Sequence, residues 1–374
     1  MFSKIPWKRI DWRNTSFLLI TPPLMVLTTY WHVTLEGLNL WLFVPAIIMY
    51  FVTGYSITLG YHRLFSHKAF KAHPAVQIFT LIFGSAAFQN SVLKWGSDHR
   101  RHHAQCDREK DPYNISKGFF WAHIGWVLVK EEPQYRNKFA KDLENNPLVA
   151  WQHQHNLSIS IVVGLIFPTL LGIAMGSPIG GIAIIALARL VMVHHCTFFI
   201  NSLCHMVGNR PYTASNSARD SWLIAFFSFG EGYHNFHHFF QNDYRNGVRW
   251  YQYDPTKWIV YLLSKIGLTS GLIRTPEEEI LKARFMMQQI EYKGELALSS
   301  PSTFLGVQKI KLEEALKNIN KLKQDYQKLR QGLEVSGANS LADLNRKIKI
   351  ARHELRATFN VWLVALKRSH LQYS

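Results

Sequence analysis

The chain has 374 residues, 48% of them hydrophobic and 14% aromatic, and 42 Lys and Arg against 25 Asp and Glu give a formal net charge of +17. That apolar content excludes a disordered chain. No helix-turn-helix, zinc-finger or RNA-binding motif accompanies the charge, so it points to anionic lipid or an acidic protein partner and not to nucleic acid.

In chain order, a basic N-terminal segment (residues 1–15, with Lys4, Lys8, Arg9 and Arg13) precedes four stretches nearly free of charge, about 16–35, 38–60, 156–175 and 178–200. Each is close to the ~20 residues that a helix needs to cross a bilayer. The connectors around Glu36-Gly37 and Gly176-Ser177-Pro178 are too short to hold a domain, so the spans pair into two hairpins with everything else on one side. That side carries the basic N-terminus, the loop from Tyr61 to about His155 and a Lys/Arg-rich C-terminal region, and the positive-inside rule makes it cytoplasmic, both termini included. Ala75–Val92 and Trp222–Phe229 are apolar but short, and read as interfacial or buried helices. Arg189 lies midway along the fourth span, where an unpaired cation is expensive; packing against a helix dipole or carbonyl is set against a role near substrate.

The membrane domain is expected over 16–270 and a helical tail over 271–374. In the tail, helices are expected near Pro276–Glu291, Lys311–Leu333 and Leu341–His370, the last two turning at Gly337-Ala338-Asn339-Ser340 into a hairpin that packs or oligomerises. The three cysteines, Cys106, Cys196 and Cys204, form no even set, which fits a reducing compartment. The expected fold is therefore an all-α membrane protein, its four transmembrane helices capped by a cytoplasmic helical domain.

Nine of the 18 histidines fall in four boxes: His62 and His67 in HRLFSH; His99, His102 and His103 in HRRHH; His205 in NSLCH; and His234, His237 and His238 in HNFHH. Residues at i, i+3 and i+4 share a helix face, so each triplet is expected to present three imidazoles to one point. His62 and His67 are five apart, about 140° on a regular helix, so they serve different metals or the helix ends between them. Nine imidazoles exceed the three or four of a mononuclear zinc site, which implies two metals, and imidazole alone admits Fe, Zn, Cu or Ni. Asp98, Asp107, Asp111 and Glu231 beside the boxes could orient the ligating rings or be ordinary solvated charge. His194 and His195, adjacent and about 100° apart on a helix, are left out with the remaining histidines.

Read with their flanks, GYHRLFSH, AFQNSVLKWGSDHRRHH, DPYNISKGFFWAHIGW, NSLCHMVGNRPY and GEGYHNFHH, in that order over about residues 38–250, resemble the membrane acyl-CoA desaturases of the delta-9 (stearoyl-CoA desaturase) type. Three boxes alone would also suit hydroxylases and alkane monooxygenases; the NSxxH box and GEGYHNFHH narrow the resemblance to desaturases. It implies that the nine histidines ligate two iron ions, that Asn201 reaches one of them through a water, and that O2 and two electrons insert a cis double bond into a long-chain acyl substrate. A hydroxylase or other oxygenase of the same superfamily, or an acyl-lipid desaturase, is the alternative.

By the same resemblance Tyr50 and Gly54 match the closed end of a bent tunnel, Thr197 its bend, and Asn90, Asp98 and Lys130 the CoA headgroup contacts. Glu131 stands where a second basic residue is expected, Ser97 replaces an arginine, and Gln241 replaces a proline after HNFHH. The first two changes leave an acyl lipid or a carrier-protein thioester open. The tail has no H-P-G-G sequence, so electrons are expected from an external donor such as ferredoxin or cytochrome b5 with its reductase, drawn to the basic face. The bacterial inner membrane is expected over the endoplasmic reticulum.

Overall fold

The computed structural model describes residues 7–293, 296, 300–331 and 338–373, which form two compact units. Lys4 of the basic N-terminus, Leu333 and Gly337 lie outside the described residues. The first unit comprises the described residues up to Asn209 and Ser215–Arg274; the second comprises Arg210–Ala214 and the described residues from Thr275.

Four helices of the first unit are long and apolar enough to cross a membrane: α1 (Trp12–Glu36), α2 (Leu40–Ser66), α5 (Pro147–Ala174) and α6 (Pro178–His205). Between them lie α3 (Pro74–Ser85) and α4 (Val92–Gln105), and after them α7 (Trp222–Phe227), α8 (His234–Phe239) and α9 (Pro255–Lys265). A two-stranded antiparallel ladder, β1 (Lys71–Ala72) with β2 (Thr269–Ser270), ties the end of α2 to the end of α9.

The spans exist where apolar runs predict them, but they extend further. The 28 residues of α6 rise about 42 Å against a hydrocarbon core of about 30 Å, so its last turns stand clear of the apolar zone. His62 and His205 therefore sit on continuations of α2 and α6, not on separate loops. The inner helices are α2 and α6, with half or more of their apolar windows buried; α1 and α5 are mostly open to the surroundings. α5 and α6 approach closely where Gly172 meets Gly181, since a Cβ on Gly172 would lie 2.3 Å from the Gly181 Cα.

At the far end, the Glu36 carboxylate accepts from the Ile179 and Gly180 amides (2.8 and 3.0 Å) and from the Ser177 hydroxyl, with His32 Nδ1 3.1 Å away. It thereby joins the two hairpins and satisfies the free N–H groups at the start of α6. Arg189 is buried and donates to the carbonyls of Ala86 (2.7 Å) and Gly164 (2.8 Å), one just after α3 and the other in a widened turn of α5. Both carbonyls take up its fork.

α3, at 12 residues, rises about 18 Å and is too short to span. The apolar stretch containing it breaks after Ser85 into a turn in which Phe88 and Asn90 adopt positive φ. α7 exposes Trp222, Leu223 and Phe226.

The second unit contains α10 (Glu277–Glu291), α11 (Phe304–Gln331) and α12 (Ala338–Tyr373). α11 and α12 pack together, and with α10 they bury Phe285, Leu312, Ile319, Leu355, Phe359 and Trp362. Glu278 stitches the three helices, taking a bidentate pair from Arg352 (2.9 and 3.0 Å) and an ammonium from Lys323 (3.1 Å).

Candidate metal centre

From Ser56 to Ser66 the second half of α2 is wound as a π-helix, and the His67 amide donates to the His62 carbonyl at 3.1 Å. This i→i+5 bond lays the sixth residue over the first, so the two rings meet at 4.8 Å between centroids. The 140° separation of a regular helix does not apply, and His62 and His67 belong to one cluster.

Two clusters form. His62, His67, His99, His103 and His237 bring ligand nitrogens within 4.8 Å of one another, and so do His102, His205, His234 and His238. Neither triplet points to a single centre, which corrects the sequence expectation. The i and i+4 residues stay together, His99 with His103 and His234 with His238, while the i+3 residue, His102 or His237, turns into the other cluster. Positions i+3 and i+4 are about 100° apart, so a triplet between two centres serves both. α8 is held for this task by Asp220, whose carboxylate caps it through the amides of Asn235 (2.8 Å) and Phe236 (3.1 Å).

The Nε2 atoms face inward. In the five-histidine cluster, His62 and His237 are 2.9 Å apart, His237 and His103 3.0 Å, His103 and His99 3.1 Å, and His99 and His67 2.8 Å. In the other, His102 and His238 are 3.2 Å apart, His238 and His234 3.0 Å, and His234 and His205 3.1 Å. Outward, Nδ1 of His62 meets Glu231 (2.8 Å), of His99 the Tyr113 hydroxyl (3.2 Å), of His102 Asp111 (2.8 Å) and of His205 Ser217 (2.7 Å). An Nδ1–H spent outward leaves the Nε2 lone pair pointing in.

Burial, reinforced by neighbouring rings, holds His67, His99, His102, His103, His234, His237 and His238 well below the ordinary histidine range, so their rings are neutral, the form that can bind a metal. Converging lone pairs repel unless a cation lies between them. Two nitrogens ~2.1 Å from one ion and at right angles about it are ~3.0 Å apart, against ~3.4 Å for a tetrahedral pair. The observed spacings fit the former, and five imidazoles at one point exceed the usual four of zinc.

Behind His62 lies a buried charge network absent from the sequence reading. The Arg63 guanidinium bonds Glu231 (3.1 and 2.9 Å), Asp254 (3.1 Å) and the Tyr244 carbonyl (2.8 Å). Burial alone would raise the Glu231 carboxyl, but His62 and Arg63 outweigh it and hold it below its usual value. Of the four carboxylates flagged by position, Glu231 and Asp111 each meet a clustered histidine directly and Asp107 meets Ser217, while Asp98 pairs instead with Lys94 at 2.5 Å. Lys94 also bonds Glu131 (2.9 Å), and Arg101 bonds Glu131 (2.9 Å), so the acid found in place of an expected base closes a four-membered ionic box. Adjacent cations and acids carry no periodicity, so neither network was visible in the sequence.

A cavity of about 890 Å³ reaches the clusters at His62, His99, His102 and His234. Asn201, Gly54, Asn90, Asp98, Lys130 and Thr197 line it, the Thr197 hydroxyl accepting from Gln89 at 3.0 Å. Tyr50 and Arg189 are not among the residues lining this cavity. Tyr50 spends its hydroxyl on the Phe227 carbonyl (2.8 Å) and packs on Phe229, while Arg189 is committed to carbonyls. His194 bonds the Ala87 carbonyl and His195 pairs with His123, both apart from the clusters.

The fatty acid desaturase family model matches residues 39–264. A probable acyl-CoA desaturase of Schizosaccharomyces pombe is 41% identical over 285 residues, 76% of this chain and 59% of the relative. Acyl-CoA desaturase 1 of Saccharomyces cerevisiae is 36% identical over 298 residues, 77% and 58% of the two chains. An sn-1 stearoyl-lipid 9-desaturase of Anabaena variabilis is 35% identical over 230 residues, 61% of this chain and 82% of the relative. The matched region thus spans less than two thirds of either yeast protein.

Proposed function

The chain belongs to the fatty acid desaturase family, and from that premise we propose that it is an integral membrane enzyme inserting a cis double bond at the delta-9 position of a long-chain acyl group. The observation that carries this reading is the pair of inward-facing imidazole clusters at the wall of a long cavity. Two iron ions held by the nine histidines would supply the activation of O2: two hydrogens leave the chain, two electrons and two protons arrive from outside, and both oxygen atoms become water.

The protein's own residues supply the rest. Glu231, Tyr113, Asp111 and Ser217 hold the rings, and Asn201, at the cavity wall, would bind a water beside them. Ile57, Phe88, Val193, Phe198 and Phe229 give the cavity an apolar wall that fits methylenes and excludes water. The clusters and termini lie on the cytoplasmic side by the positive-inside rule, and the net charge of +17 suits an acidic external donor, a ferredoxin or a cytochrome b5 with its reductase.

Acyl-CoA is the first choice of substrate, after the names of the yeast relatives. The ionic box favours a second reading, an acyl lipid, because Lys94 and Arg101 are already neutralised by Asp98 and Glu131. The test is gas chromatography with mass spectrometry of fatty acids, double bonds mapped, from a desaturase-deficient host expressing the chain, followed by purified enzyme supplied with acyl-CoA or with phospholipid. New cis-9 chains support the reading; hydroxylated chains make the protein a different oxygenase, and no new product rejects it.

Chain length has its own test at Gly54. A Cβ there would lie 2.1 Å from Phe229 Cε2, so the ring must move to admit it. Gly54→Ala is expected to push that ring into the cavity, shift products toward shorter chains and cost about 1–3 kcal/mol of stability by overpacking. The fatty-acid profile and the melting midpoint report the two effects.

A further inference from the structure

The loop following α4 backs both clusters, but unequally. Asp107, at φ +63, turns the chain back so that its amide donates to Asp111 Oδ2 at 3.0 Å. Asp111 Oδ1 accepts from His102 Nδ1 at 2.8 Å and from the Tyr113 amide at 3.2 Å. Asp107 works through an intermediary: the Ser217 amide and hydroxyl both donate to its carboxylate, at 2.6 and 2.5 Å. With its proton so committed, the Ser217 oxygen is the acceptor for His205 Nδ1–H at 2.7 Å. Both anions therefore stand behind ligands of the four-histidine cluster. Tyr113, on the same loop, backs His99 of the five-histidine cluster with a neutral hydroxyl.

The charges differ accordingly. Among the described residues, neither Asp107 nor Asp111 has a Lys or Arg within ion-pair distance; Arg101, whose field reaches Asp111, is itself bonded to Glu131 at 2.9 Å. Behind the five-histidine cluster, Glu231 and Asp254 share Arg63 at 2.9 and 3.0 Å. Two carboxylates with no cation bonded to them thus stand behind the four-histidine cluster, whereas the one carboxylate that meets a ring of the five-histidine cluster, Glu231, is shared with Arg63.

We propose that the Asp107–Tyr113 loop makes the two metal sites electronically unequal, with Asp107, Ser217 and Asp111 as positioning residues that make the four-histidine site the tighter and more readily oxidised of the two. The ligands carry a partial negative charge pushed onto them by a hydrogen-bonded carboxylate, and that charge stabilises the higher oxidation state. This inference rests on the reading of the clusters as a two-iron centre.

The test is Mössbauer spectroscopy and metal analysis of detergent-purified protein loaded with iron-57, in the wild type and in Ser217→Ala, Ser217→Thr, Asp107→Asn and Tyr113→Phe. Asparagine tolerates the left-handed conformation at 107 and keeps one acceptor, so the fold of the loop is preserved. Wild-type protein is expected to hold two irons per chain as two distinguishable doublets, one of which oxidises first. Ser217→Ala and Asp107→Asn should alter that doublet alone and speed the loss of one iron to a chelator by 10–100-fold, the usual effect of removing such a partner. Ser217→Thr should restore it, and Tyr113→Phe should move the other doublet. Equal changes in both doublets, or unchanged spectra and chelation rates, overturn the inference; wild-type protein that takes up no iron overturns the reading beneath it instead.

Discussion

His237→Ala is expected to abolish double-bond formation, by more than the ~100-fold that marks the upper end for losing a mere backing residue. The iron content should fall with it. His237 is the i+3 residue of its box, crossing from α8 into the five-histidine cluster, with Nε2 2.9 Å from His62 and 3.0 Å from His103. Truncation removes a donor that no other side chain of α8 can replace, because His234 and His238 are committed to the second cluster. Product analysis and metal analysis of the same preparation check this. His155→Ala, at an exposed position on α5, is the matched control and should leave both unchanged. Full activity in His237→Ala would mean that the clusters are not the reaction centre.

The second large effect is expected at Arg63. Replacing it by methionine leaves Glu231 and Asp254 buried and without their cation, and breaking one side of a buried pair costs about 3–5 kcal/mol. For the detergent-solubilised protein this is a drop in melting midpoint on the order of 10 °C. Because Glu231 also holds His62 Nδ1 at 2.8 Å, iron should be lost from the five-histidine cluster before the fold gives way. Arg63→Lys, which keeps the charge but cannot fork between the two acids, should fall between. An unchanged midpoint in Arg63→Met would show that the two acids find other donors.

What the sequence made legible follows from what is periodic in it. The four spans and all nine clustered histidines could be read, since apolar runs and i, i+3, i+4 spacing are local signals. The partition of those histidines could not, because it depends on how α4 and α8 are rotated about their axes against two centres, which packing decides. His67 was ambiguous because its geometry depends on the winding of α2. Arg63 escaped notice, and the partners of Glu131 could not be read, because a charged residue beside a histidine box looks the same whether it is solvated or buried. Arg189 was recognisable as an anomaly, but its partners are backbone carbonyls at helix interruptions and so carry no side-chain signature. The ends of the spans were misjudged for the opposite reason: α2 and α6 continue as helices after their apolar character stops.

The wide winding of α2 also bears on how such a motif can change over time. In a π-helix the residues that stack are five apart, and in an α-helix they are four apart. Deleting one residue between His62 and His67 while relaxing that stretch to α-helix would keep both rings on one face. The box is thus tolerant of a single-codon loss that would scramble an ordinary helical site. A pattern search fixed to one spacing would miss chains that build this corner of the centre with the other.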